Sequence, residues 1–225
     1  MSKKKENTIV KDAIILCIIT LVAGFFLGFV YELTAKGRQK AADDTKQEAY
    51  GKIFKGEYSF EEAADYDDEV ADSAKYFKNK SYSYNDITYS FDGLEVNELV
   101  EVKAKDSTDE IQGYIVTVTT PNGYGGDIKL ALGVDMECTV KGVSILDISE
   151  TPGLGMNATG DFKEQFAGKN VDGFVHTKTG SKSDNEVDAI TSATITTKAV
   201  TGAVDAGLMF VRERVMNIDA SEVLS

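Results

Sequence analysis

Asp188-Ala189-Ile190-Thr191-Ser192-Ala193-Thr194-Ile195-Thr196-Thr197 opens an uninterrupted helix-like run that reaches about Val215. Val200, Val204, Leu208, Val211 and Val215 recur at three- and four-residue intervals, which places one apolar stripe on one side of a helix. A small-residue, hydroxyl-rich entry therefore leads into an amphipathic helix. Such a start presents unpaired backbone N–H groups and the positive end of the helix dipole, a ready place for a phosphate. On residue type alone, Thr191 or Ser192 reads first as an N-cap.

Working outward, Lys178-Thr179-Gly180-Ser181-Lys182-Ser183 reads as a loop, preceded by a strand over Gly173 to Thr177 and a short helix over Asp161 to Phe166. Glu150-Thr151-Pro152-Gly153-Leu154-Gly155 is a turn with more in it than a plain Pro-Gly corner. Pro fixes one dihedral and the two glycines permit positive φ, so backbone can approach a planar ligand with few side chains in the way. Upstream lies the clearest β signal. Tyr114, Val116 and Val118 alternate with Ile115, Thr117 and Thr119; after the turn at Pro121 to Gly126, Ile128, Leu130, Leu132 and Val134 alternate with Asp127, Lys129, Ala131 and Gly133. With a third strand from about Thr139 to Ile148, the simplest arrangement is an antiparallel meander.

The front of the chain is different in kind. Ala13 to Tyr31 carries no charge and is bracketed by Asp12 and Glu32, close to the ~20 residues that cross a bilayer. The flanking lysines nearly balance, so charge does not orient this anchor. Ala35 to Phe54 reads as a helical stalk. The acidic run Glu57 to Asp72 reads as a solvated face, and the aromatic run Tyr76 to Phe91 as strands or irregular edges on the core, with partner docking as the second reading. The expected divisions are an N-terminal segment 1–11, a transmembrane helix 12–33, a stalk and accessory part 34–100 and a ligand-binding domain 101–225.

Composition removes several functions. With 37 acidic and 24 basic residues, the net charge of −13 argues against nucleic acid, which needs clustered Lys and Arg. Cys17 and Cys138 are the two cysteines and His176 is the single histidine; no four-cysteine cluster, histidine metal site or catalytic triad is read here.

Thr191-Ser192-Ala193-Thr194 resembles the flavinylation motif of the FMN-binding domain found in the G subunit of the Rnf electron-transport complex and in the C subunit of the sodium-pumping NADH:quinone reductase. Glu150 to Gly155 resembles the second signature of that family, and the strand, turn and strand before it fit as well. The resemblance covers roughly Gly113 to Leu208 and the anchor. It implies an α+β domain, an antiparallel-rich sheet with packed helices, behind one N-terminal transmembrane helix. It implies FMN esterified through its phosphate to Thr194, with Thr191, Ser192, Ala193, Thr197, Glu150, Thr151, Gly153, Leu154, Gly155 and Tyr124 around the cofactor. Lys178 or Lys182 is expected near the flavin, where a cation favours the anionic reduced form. The departure from the family is Ser192, where glycine is usual.

By the same resemblance the chain is a redox subunit of an ion-translocating ferredoxin:NAD oxidoreductase, not catalytic alone. It implies a single pass through the cytoplasmic membrane with the flavin domain on the outer face, other membrane and peripheral subunits as partners, and maturation by a flavin transferase. The C subunit of the related quinone reductase and a stand-alone electron-transfer flavoprotein are the alternatives, and a non-redox extracytoplasmic binding domain is the alternative of another class.

Overall fold

The computed structural model describes residues 3–84, 86–105 and 110–218; Met1 and Ser2 of the expected segment 1–11, and the end of the expected domain beyond 218, lie outside them. The chain divides into two units, Met1–Lys46 and Gln47–Ser225. Helix α1 (Lys3–Ile53) contributes to each. Within the first unit, Lys11–Ala35 is long and apolar enough to cross a membrane, with a mean hydropathy of 2.8.

The second unit is built on a five-stranded sheet of β1 (Tyr58–Glu62), β4 (Glu95–Ala104), β5 (Ile111–Thr120), β6 (Ile128–Asp135) and β7 (Val140–Ile148), in the order β1-β4-β5-β6-β7. Every neighbouring pair is antiparallel. The expected meander is therefore its larger part, but the sheet reaches further forward than expected. The boundary drawn at residue 100 falls inside β4, and β1 adds the edge, so two stretches of 34–100 belong to the sheet. Periodicity does not show this, because β1 is a short strand inside an acidic run.

Both faces of the sheet are covered. Alternation along β5 sends Tyr114, Val116 and Val118 to one face and Ile115 to the other, and all four are buried. On the second face Tyr50, Ile53 and Phe54, from the end of α1 and the residue after it, pack on Val100, Val102, Ile115 and Ala131. They sit on backbone as much as on side chains: a Cβ at Gly133 would lie 2.2 Å from Ile53 Cγ2, and one at Gly113 would lie 2.9 Å from Phe54 Cζ.

The first face carries α5 (Thr194–Phe210), continued by a π-helical turn over Val211–Val215. The expected stripe is buried, yet so is almost every other residue from Thr196 to Phe210. This helix is enclosed, not amphipathic at a surface. Its small residues allow it: Gly207 rests against Val116, Val118 and Leu132, and Gly202 against Tyr89. The enclosure is closed by α2 (Asp67–Ala71), α3 (Ser73–Phe77), the hairpin β2 (Ser81–Tyr84) and β3 (Ile87–Ser90), the short α4 (Asp161–Glu164), and a parallel pair, β8 (Val175–Thr177) with β9 (Glu186–Asp188). The aromatic run is largely core. Phe77 stands edge-on to Phe91 at 6.0 Å and 6.2 Å from Phe210.

Enclosing α5 also buries a carboxylate. Asp205 is 1% exposed; its Oδ1 accepts the Phe174 amide at 2.7 Å, and its Oδ2 has no partner. Burial pushes this carboxyl well above the usual range. In the unfolded chain it ionises near ~3.9. The folded state is thus favoured most below that pH, and loses stability as pH rises from there through the raised folded value. Asp205→Asn keeps the acceptor for Phe174 and removes the titration. It should unfold at higher urea than the parent at pH 7, with the gap closing towards pH 4; equal midpoints at pH 7 would contradict this burial cost.

Candidate functional site

Strand β9 delivers the chain to Ala189 and Ile190, and a tight turn then leads into α5. Gln165 fixes the delivery, accepting the Asp188 amide at 2.7 Å and donating to the Asp188 carbonyl at 3.2 Å. Thr197 closes the turn: its hydroxyl accepts the Ile190 amide at 3.1 Å and donates to the Ala193 carbonyl at 2.8 Å. Between these anchors Ser192 is forced to φ 62°. That left-handed conformation is the one glycine adopts freely and other residues adopt at a cost, so the position that departs from the family is one whose backbone geometry favours glycine.

The helix start itself is open. Ala193 is the N-cap residue and no side chain caps it, which corrects the expectation that Thr191 or Ser192 fills that role. With Ser192 left-handed and Ala193 leading directly into the helix, neither hydroxyl bonds the first-turn amides. Among the described residues the amides of Thr194, Ile195 and Thr196 have no hydrogen-bond partner, so three donors and the dipole face outward together.

They face a cavity of about 520 Å³ formed with the loop after β7. Thr194, Ser192, Ala193, Ile195 and Thr196 line it from the helix side; Glu150, Thr151, Leu154, Gly155 and Tyr124 line it from the other. Sequence positions about seventy residues apart, from the 121–126 turn to the start of α5, thus meet at one opening. Leu154, Ile195 and Tyr124 are 40, 52 and 70% exposed. They are apolar surfaces without a covering partner beside a polar helix start, which suits a ligand with a flat aromatic part and an anionic tail.

Glu150 holds this arrangement. Its carboxylate, 7% exposed, accepts the Tyr124 amide at 2.7 Å and the Gly125 amide at 3.3 Å. A Cβ at Gly155 would stand 2.6 Å from Glu150 Oε2 and 2.6 Å from Thr196 Oγ1. Gly155 is therefore a spacing requirement between loop and helix. Gly153 has φ 76°, where the chain turns back so that Leu154 N–H reaches the Thr151 carbonyl at 3.1 Å.

Several expected residues do not line this cavity, Gly153 among them, since it serves the turn of the loop. Thr197 is fully buried with its hydroxyl committed to the turn. Thr191 lines a neighbouring cavity of about 690 Å³ with Asn157, Asp161, Gln165 and Asp188. Lys178 and Lys182 are exposed in the loop after β8 and line neither cavity. Ile195 and Thr196 are site residues that the sequence reading misses. Ile195 carries a usable signal, since it falls off the stripe defined by Val200, Val204 and Leu208. His176 is part of the packing: its amide donates to the Tyr89 hydroxyl at 2.9 Å, and that hydroxyl meets Nδ1 at 2.6 Å.

Comparison with known proteins defines the class first. Residues 123–209, the segment that builds most of the cavity, match the family described as the FMN-binding domain. More particularly, it is similar to the G subunit of the Na(+)-translocating ferredoxin:NAD(+) oxidoreductase complex of Acetobacterium woodii, 39% identical over 110 residues, 48% of this chain and 53% of the relative. It is 44% identical over 92 residues to the G subunit of the proton-translocating ferredoxin:NAD(+) oxidoreductase complex of Clostridium ljungdahlii, 40% of this chain and 49% of that one. The chain spans about half the length of the curated relatives it matches. Among solved structures it resembles NqrC of Shewanella oneidensis, with 19% identity, a TM-score of 0.44, and coverage of 70% of this chain and 83% of that one.

The backbone of Ser192 can be tested by itself. A left-handed L-residue costs roughly 1–2 kcal/mol, and glycine returns about 0.5–1 kcal/mol of that through its unfolded-state entropy. Ser192→Gly should therefore raise stability by roughly 0.5–1 kcal/mol in urea unfolding, and the β-branched Ser192→Val should lower it. A stabilising valine would contradict the left-handed turn.

Proposed function

We propose that this chain is a membrane-anchored electron carrier whose FMN is esterified through its phosphate to the hydroxyl of Thr194, relaying electrons as the redox subunit of an Rnf-type, ion-translocating ferredoxin:NAD oxidoreductase. One observation carries the reading: Thr194 stands at an uncapped helix start, in the same cavity as the Glu150-to-Gly155 loop and three exposed apolar side chains. The relatives near 40% identity are themselves named as the G subunit of such complexes, which favours this assignment over the C subunit of the quinone reductase.

The residues fit the group. Three free amides and the helix dipole favour the charge of a phosphodiester, by about 0.3–1 kcal/mol at an exposed site. Tyr124, Leu154 and Ile195 offer apolar surface to an isoalloxazine ring and keep water from the part they cover. Bound FMN supplies reversible transfer of one or two electrons; the chain supplies position and electrostatics. An ester at the phosphate end leaves the ring unmodified and stops the carrier from diffusing away. That matters if, as the reading holds, the apolar span Lys11–Ala35 crosses the cytoplasmic membrane and the flavin domain lies on its outer face, with the other subunits of the complex as partners and a flavin transferase for maturation.

Thr194→Val retains shape and loses the hydroxyl. Co-produced with a flavin transferase, it should fold with normal circular dichroism and give no fluorescent flavin band after denaturing electrophoresis, whereas the unmodified chain gives one. A band of equal intensity in the variant would move the bond to another hydroxyl, and no band in either would favour the non-redox binding domain. Leu154→Asp should keep the band and alter the flavin's visible spectrum or potential; an unchanged spectrum and potential would mean that the loop does not touch the ring.

A further inference from the structure

A second cavity, of about 300 Å³, adjoins the first, and Ile195 is the residue that lines both. Its other walls include Tyr89, Ser90, Asn122, Lys198 and Gly202, and no carboxylate lines it. The Tyr89 ring is immobilised by its two contacts with His176, and it packs so near the helix backbone that a Cβ at Gly202 would lie 3.3 Å from Tyr89 Cβ. The wall behind Ile195 is rigid. Its charge comes from Lys198.

Lys198 follows Thr194 by four residues, one helical turn. Residues four apart lie above one another on a helix, and Cα–Cβ bonds tilt towards its N-terminus. Lys198 thus projects from the turn directly above Thr194 and lines the second cavity, which shares Ile195 with the flavin cavity. It is exposed and in no ion pair among the described residues, whereas Lys52, Lys80 and Lys103 each meet a carboxylate within 3 Å. Other lysines are unpaired too, but Lys198 is the one that lines either of the two adjoining cavities. Its field already reaches the neighbouring imidazole: His176 is held below the usual histidine range, first by burial and then by Lys198 and Lys178.

Resting on the FMN reading above, we propose that Lys198 sets the reduction potential of the flavin, its ammonium stabilising the negative charge of the reduced ring. The balance is simple. A neutral oxidised ring that takes up two electrons from a reductant and one proton from water carries one negative charge, and a nearby unpaired cation lowers the energy of that form alone. Lys198 takes the part expected of Lys178, which lies outside both cavities.

The test uses the full-length, flavin-loaded chain. Loading is scored first, by in-gel fluorescence, and reductive titration at one pH then gives the midpoint potential. Lys198→Gln should load as the parent does and titrate at a more negative potential. Lys198→Arg should restore the parent value, Lys178→Gln should leave it in place, and added salt should shrink the shift. Equal potentials in loaded Lys198→Gln and parent would overturn the proposal, as would an equal or larger shift in Lys178→Gln. A parent chain that takes up no flavin would overturn the FMN reading beneath it, a separate outcome visible before any titration.

Discussion

The site depends on keeping a helix start open while the loop opposite comes within touching distance, and the Glu150 carboxylate ties that loop to the 121–126 turn. It is buried, and it accepts two backbone amides from the 121–126 turn. Bonds of this charge-assisted kind contribute roughly 1.5–3 kcal/mol each when buried. The same carboxylate leaves no room for a side chain at Gly155, which brings loop backbone against Thr196. Without it, the strand turn carrying Tyr124 and the loop carrying Leu154 would lose their common anchor.

The scaffold behind that clip is a helix buried nearly all round, lying on a sheet that is itself covered on both faces. Such enclosure explains why small residues dominate α5. It also explains Asp205, the one buried carboxylate with an unsatisfied oxygen among the described residues, which costs stability at neutral pH by its place in α5 beside Phe174. Rigidity follows from the same packing. A helix start held by Thr197 from within and by Gln165 through β9 presents its amides in a fixed direction, which is the preorganisation an anionic group needs.

Much of this is legible in the chain, and the gaps have physical causes. The central strands are readable because alternation in β5 and β6 is clean, and the helix because Val200, Val204 and Leu208 keep its period. The front strands are not, since β1 spans five residues of which two are acidic and exposed. Burial on every side of α5 is hidden because Thr, Gly and Ala score as neutral while packing well. At the site, the motif residues Thr194, Ser192 and Ala193 and the Glu150-to-Gly155 loop do meet at one cavity. Thr197 does not join them: its hydroxyl closes a turn that sequence spacing alone does not reveal. Lys178 does not either, because which lysine stands beside the cavity depends on where the loop after β8 leads, whereas Lys198 is placed by helical geometry from Thr194.

The central claim, that the open start of α5 is where the cofactor is bound covalently, is tested most directly by tandem mass spectrometry of the unmodified chain purified from its own membranes. The account predicts a peptide spanning Ile190 to Lys198 that carries one FMN, less water, with fragment ions placing the added mass on Thr194. An unmodified peptide in protein that is fully flavinylated elsewhere, or fragments placing the mass on Thr191, Ser192, Thr196 or Thr197, would contradict it.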